Sequence, residues 1–133
     1  MSIFICCIIS FLLLFNCTVA CCEEIIFTGF PRVKNTASEE NTKNEQVSDK
    51  DSYKVVITKE TGNYYWFSRE RKLLIYNKYI GPLGNVNHYF VAPDGSGYVF
   101  ITQDSSGSIA YMENIRGLLF VITYWGSGEK PKL

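Results

Sequence analysis

The chain has 133 residues, room for one domain, and its 13 basic side chains balance 13 acidic ones, so net charge argues for neither nucleic acid nor an anionic surface. A single histidine, His88, and five cysteines confined to positions 6, 7, 17, 21 and 22 exclude three chemistries. These are a two-histidine acid–base pair, a histidine-rich zinc site, and thiol catalysis or thiolate metal binding beyond residue 22. No metal, cofactor or catalytic residue is expected.

Met1 to Ala20 carries no Lys, Arg, Asp or Glu, and Ile3 to Phe15 is apolar except for Ser10 and the small Cys6 and Cys7. This pattern predicts a signal peptide over 1–20, cleaved after Thr18-Val19-Ala20. An uncleaved anchor needs about 20 apolar residues, which 3–22 supplies only by counting Ser10, Asn16 and Thr18. Glu23 and Glu24 follow with no basic residue beside them, which puts the remainder on the outer side of the membrane and predicts a secreted, extracellular protein. Thr18-Val19-Ala20-Cys21 resembles the lipobox of bacterial lipoproteins, which implies a lipid on Cys21. The leader lacks the Lys or Arg that usually opens such signals, and Thr18 stands where Leu is usual, so lipidation ranks below cleavage. Membrane contact is expected only with an uncleaved signal or a lipidated Cys21. With every cysteine in the first 22 residues, no disulfide can staple the domain internally. A bridge between neighbouring cysteines is strained, so Cys21 or Cys22 better suits a disulfide-linked homodimer.

Residues 21–52 are predicted to be a low-complexity polar linker, mostly disordered. Within them Ile25, Phe27 and Gly29-Phe30-Pro31 read as a short strand and its stop, but Lys34 to Ser52 offers only Ala37 and Val47 for burial. Seven acidic and four basic side chains leave residues 23–52 at −3, against +2 for 53–125.

An antiparallel β domain is predicted over 53–125, with strands at 53–59, 64–68, 72–77, 86–92, 98–103, 109–113 and 118–125. Its clearest element is the hairpin Val86 to Gln103, whose Pro93-Asp94-Gly95-Ser96-Gly97 supplies turn chemistry between aromatic and β-branched runs. Short, turn-bearing links between the strands predict antiparallel neighbours. In 118–125 both faces are apolar, with Leu118, Phe120, Ile122 and Tyr124 on one and Leu119, Val121 and Trp125 on the other. An open sheet with a wet face would alternate with polar residues, and no helix is available to cover a second face. The fold class is therefore all-β, a small meander of about seven strands closed into a barrel or two-layer sandwich, with 118–125 pairing 53–59; the alternative is an open sheet whose second face meets a partner chain or ligand. Residues 126–133 read as a flexible polar tail.

His88 alternates with Val86 and Phe90, which favours packing at a sheet face over catalysis. Ser96 lies in a hairpin and not in the strand–helix context of a nucleophile elbow. Aromatic residues are the richest binding material, and Ser68-Arg69-Glu70-Arg71-Lys72 sets basic groups beside them. The predicted binding residues are Tyr64, Trp66, Arg69, Arg71, Tyr98 and Trp125. The expected function is a secreted, non-catalytic binding domain for a protein or other extracellular ligand, and secretion argues against nucleic acid. The alternatives are a small secreted hydrolase using His88 with a carboxylate, and a lipid-anchored or disulfide-linked structural surface protein.

Overall fold

A computed structural model describes residues 22–133, so the predicted signal peptide over 1–20 and Cys21 lie outside the described residues. Nine antiparallel strands follow one another: β1 (Glu24–Ser38), β2 (Thr42–Gln46), β3 (Val55–Glu60), β4 (Asn63–Trp66), β5 (Lys72–Ile80), β6 (Val86–Val91), β7 (Gly97–Gln103), β8 (Ile109–Arg116) and β9 (Phe120–Gly128). Each of β3 to β8 pairs with the next, and β1 joins β3 to β9. The result is a closed eight-stranded barrel, with β2 as an extra strand on the second half of β1.

Alternation sorts the side chains. Ile57, Trp66, Leu74, Phe90, Val99, Ile101 and Tyr111 point inward and are almost wholly buried, joined by Ile26, Phe27, Val55 and Ala92. A barrel of this strand number has an interior just wide enough for side chains to fill. Rings do most of the filling: Tyr76 stacks on Phe90 at 4.8 Å between centroids, Tyr64 meets Tyr76 tilted at 5.1 Å and Phe90 edge-on at 5.5 Å, and Phe27 meets Tyr111 edge-on at 5.7 Å. Closure needs two glycines. A Cβ on Gly29 would sit 2.6 Å from the Tyr111 ring, and one on Gly126 would sit 2.0 Å from the Phe30 carbonyl oxygen across the β1–β9 seam.

The meander closes as predicted, but through different residues. Residues 24–38, placed by composition in a mostly disordered linker, form the strand that seals the barrel. The first half of β1 pairs with β3 from Glu24 to Gly29 and buries Ile26 and Phe27. The second half, which is polar, pairs with β9 on one edge and with β2 on the other. Backbone hydrogen bonding on both edges, with Asn35 donating to Asn44 at 2.7 Å, orders a segment that has little apolar surface to bury. Bulges after Ile25 and Pro31 bend β1 so that it serves both neighbours. The domain thus begins at residue 24 rather than 53, and β9 closes on β1 rather than on 53–59. The tail is docked as well: Gly126–Gly128 belong to β9, the Glu129 and Lys132 amides donate to the carbonyls of Thr28 and Ile26, and Pro131 is fully buried. Leu118 and Leu119 lie in the β8–β9 turn, exposed, with the Gly117 amide bonded to the Phe120 carbonyl.

Candidate functional site

Closure turns one face of each strand inward, and the outward face of β6 to β9 carries an apolar row between polar residues such as Thr102 and Asn114. Register places Tyr89 opposite Phe100, Phe100 opposite Met112, Met112 opposite Trp125 and Trp125 opposite Val33. This is one uncharged row across five strands. Tyr98 packs on Tyr89 at 5.3 Å and Tyr79 on Phe100 at 6.4 Å, which widens the row into a patch. Trp125 is 42% exposed, and a depression of about 260 Å³ opens between Phe100, Thr102, Ala110, Met112 and Trp125.

A second feature lies at one end of the barrel, where the β4–β5 turn, the β6–β7 turn and the end of β8 meet. Trp66, Arg69, Glu70, Lys72, Ser96, Ile115 and Arg116 line a cleft of about 200 Å³. The turn that brings Arg69 there holds two non-glycine residues, Glu70 and Arg71, at φ 56° and 54°, a left-handed conformation that costs free energy for any residue with a Cβ. Behind the cleft Glu113, fully buried, accepts hydrogen bonds from Trp66 Nε1 at 2.7 Å and Arg69 Nη2 at 2.8 Å. Burial pushes the Glu113 carboxyl above its ordinary value, while the Arg69 charge and the two donors pull it back. Lys72 pairs with Asp94 at 3.3 Å, and Arg116 Nε donates to Asn114 Oδ1 at 3.2 Å. Asp94 is held down at about 2 by the adjacent Ser96 hydroxyl and amide. Only the amide makes a bond of normal geometry, at 2.9 Å; Ser96 Oγ and Arg69 Nε are buried and have no partner among the described residues.

The six residues singled out in the sequence divide between these places. Trp66 and Arg69 meet in the cleft. Tyr64 is inside, tilted against Tyr76 and edge-on to Phe90. Arg71 turns away, 4.1 Å above the Tyr65 ring and ion-paired with Glu23 and Glu60. Tyr98 and Trp125 lie on the outer patch. His88 is buried at the other end of the interior, its Nδ1 2.7 Å from the Tyr76 hydroxyl. Burial, and secondarily Lys78, lowers its pKa. The carboxylates a hydrolase would borrow are engaged elsewhere: Asp94 with Lys72, Asp104 with Ser106 and Ser108, Glu113 with Trp66 and Arg69. Lys72, Ser96, Arg116 and the row through Phe100 and Met112 were not singled out for binding. A row becomes visible only once strand register is known.

No protein-family model, no curated protein and no solved structure matches this chain. Geometry alone therefore carries the functional reading.

Proposed function

We propose that this chain is a secreted, non-catalytic interaction domain that docks a partner protein on the outward face of β6 to β9. The observation that supports this is the uncharged row Tyr89–Phe100–Met112–Trp125. Tyr, Trp, Phe and Met are the residues enriched at protein interfaces, where they bring large apolar area at small entropic cost. These side chains point away from the filled interior, so the barrel does not need them for its core. A lipid-facing reading of the row fits less well, because β3 and β4 have six and four residues and a spanning strand needs about 9–11.

A photo-crosslinking residue at position 125 in the full chain, expressed in the cells that make it, is expected to give a discrete protein adduct. The same residue at Glu39, in the exposed β1–β2 turn, should not. The double variant Phe100→Thr/Trp125→Thr should fold, lose the partner and sediment as the wild type does. Absence of any adduct specific to position 125 would reject the proposal, and an adduct of the chain with itself would replace it with self-association.

A further inference from the structure

A different observation concerns the cleft at the barrel end, whose Arg116 also borders Tyr89 and Tyr98 of the outer patch. We propose that it binds a small organic oxyanion, a carboxylate or phosphate carried on an apolar body about the size of one aromatic ring, between Arg116, Lys72 and Arg69 and over the Trp66 indole.

Charge comes first. The lining holds three cations, Arg69, Lys72 and Arg116, against one acid, Glu70. The Arg69 charge is largely answered by Glu113 behind it, and the Lys72–Asp94 contact is long and exposed. Arg116 has no carboxylate partner among the described residues: its Nε goes to an amide oxygen, Asn114 Oδ1. Its remaining donors are therefore free to fork around an oxyanion.

Ser96 Oγ and Arg69 Nε have no partner among the described residues, but they are buried from solvent. The donors a guest meets are those of Arg116 and Lys72, which are open to solvent.

Shape sets the rest of the ligand. Trp66 and Ile115 supply an apolar floor and wall, and about 200 Å³ leaves room for a ring and a charged group but not for a long chain. Trp66 is almost wholly buried and its indole N–H is already committed to Glu113, so it closes the floor of the cleft without offering a donor. The cleft is also held in place, since the Arg116 amide donates to the Ser96 carbonyl at 2.8 Å and ties β8 to the β6–β7 turn.

The chain has two tryptophans, so the Trp66 indole N–H signal in an NMR spectrum is assigned by its persistence in Trp125→Phe. Benzoate, phenyl phosphate, inorganic phosphate and neutral benzyl alcohol are titrated into the full chain. Benzoate or phenyl phosphate should shift the Trp66 signal saturably, with a Kd of about 1 mM or tighter, and the tighter of the two identifies the head group. Arg116→Gln should weaken that binding about tenfold, while Glu70→Gln, which removes the one acid of the lining, should strengthen it. Both positions are exposed, so the variants should keep the wild-type spectrum elsewhere. Any of three results overturns the proposal: no saturable shift up to about 20 mM, an equal response to benzyl alcohol, or indifference to Arg116→Gln. Inorganic phosphate binding as tightly as phenyl phosphate would reduce the cleft to a site for an adventitious ion only, and would overturn it too.

Discussion

Deleting every residue before Tyr53 would remove β1 and β2 and leave all seven strands that the sequence marks most clearly. If those strands formed the domain, the fragment would fold. The structure says otherwise. Ile26 and Phe27 are 2% and 1% exposed, and burying two such side chains contributes about 3–6 kcal/mol. Nine residue pairs join β1 to β9 and five join it to β3; at a net 0.5–1.5 kcal/mol per hydrogen bond, their loss removes roughly 5 kcal/mol or more. Against a total stability of about 5–15 kcal/mol for a domain, the fragment 53–133 should be unfolded, and its two freed edges should make it aggregate. Circular dichroism with urea titration decides the matter. Phe27→Ala in the full chain gives a graded control, expected to cost about 3–5 kcal/mol. Limited proteolysis of the intact protein should cut within the exposed turns at 39–41 and 48–52 while the pieces remain associated. A cooperatively folding 53–133 fragment, or a Phe27→Ala cost below about 1 kcal/mol, would refute this account of closure.

Two further outcomes follow from the interior. The folded-state pKa of His88 is lowered, so the unfolded chain takes up its proton more readily; the contribution is complete above the ordinary value of 6.5 and is lost as pH falls through 6.5 towards the folded value. Urea midpoints of the wild type should therefore decline between pH 7.5 and 5.5, whereas His88→Gln should decline less, and equal declines would contradict the assignment. At the other end, Arg69→Met leaves the Glu113 carboxylate buried without its counter-charge and should cost about 3 kcal/mol, against about 1 kcal/mol for Glu113→Gln. Denaturant unfolding of the two variants checks the order, and a reversed order would mean that the Trp66 hydrogen bond, not the ion pair, holds the carboxylate.

Much of this barrel was legible in the residues because turn chemistry is local. Thr61-Gly62, Pro93–Ser96 and Asp104–Gly107 each sit between strands where their composition puts them. Closure was legible too, from strands apolar on both faces with no helix to cover one. Pairing partners were not. Lys34 to Ser38 carries almost no apolar signal, and only the neighbours on its two edges make it a strand, so composition alone assigns it to a linker. Leu118 and Leu119 fail in the opposite sense: hydrophobic enough for a strand, they fall in the turn that Gly117 and Phe120 close.

The binding surfaces were legible only by residue type. In Tyr64-Tyr65-Trp66-Phe67 the alternating faces are nearly equivalent in hydrophobicity, so nothing local says that Tyr64 and Trp66 go in while Tyr65 and Phe67 stay out. What breaks the tie is distant: Glu113, 47 positions from Trp66, needs a donor inside the barrel, and the indole N–H supplies it. That choice also determines what remains outside. An eight-stranded barrel fills with one face of its strands, so Phe100, Met112 and Trp125, which alternate with Ile101, Tyr111 and Tyr124, are left on the outside by the same register that builds the core, Trp125 exposed and the other two half-buried. Cross-strand packing of Tyr79, Tyr89, Tyr98 and Phe100 gives part of that apolar character a role in stability. Trp125, 42% exposed, makes no such ring contact among the described residues, and it is the residue that the proposed partner would cover.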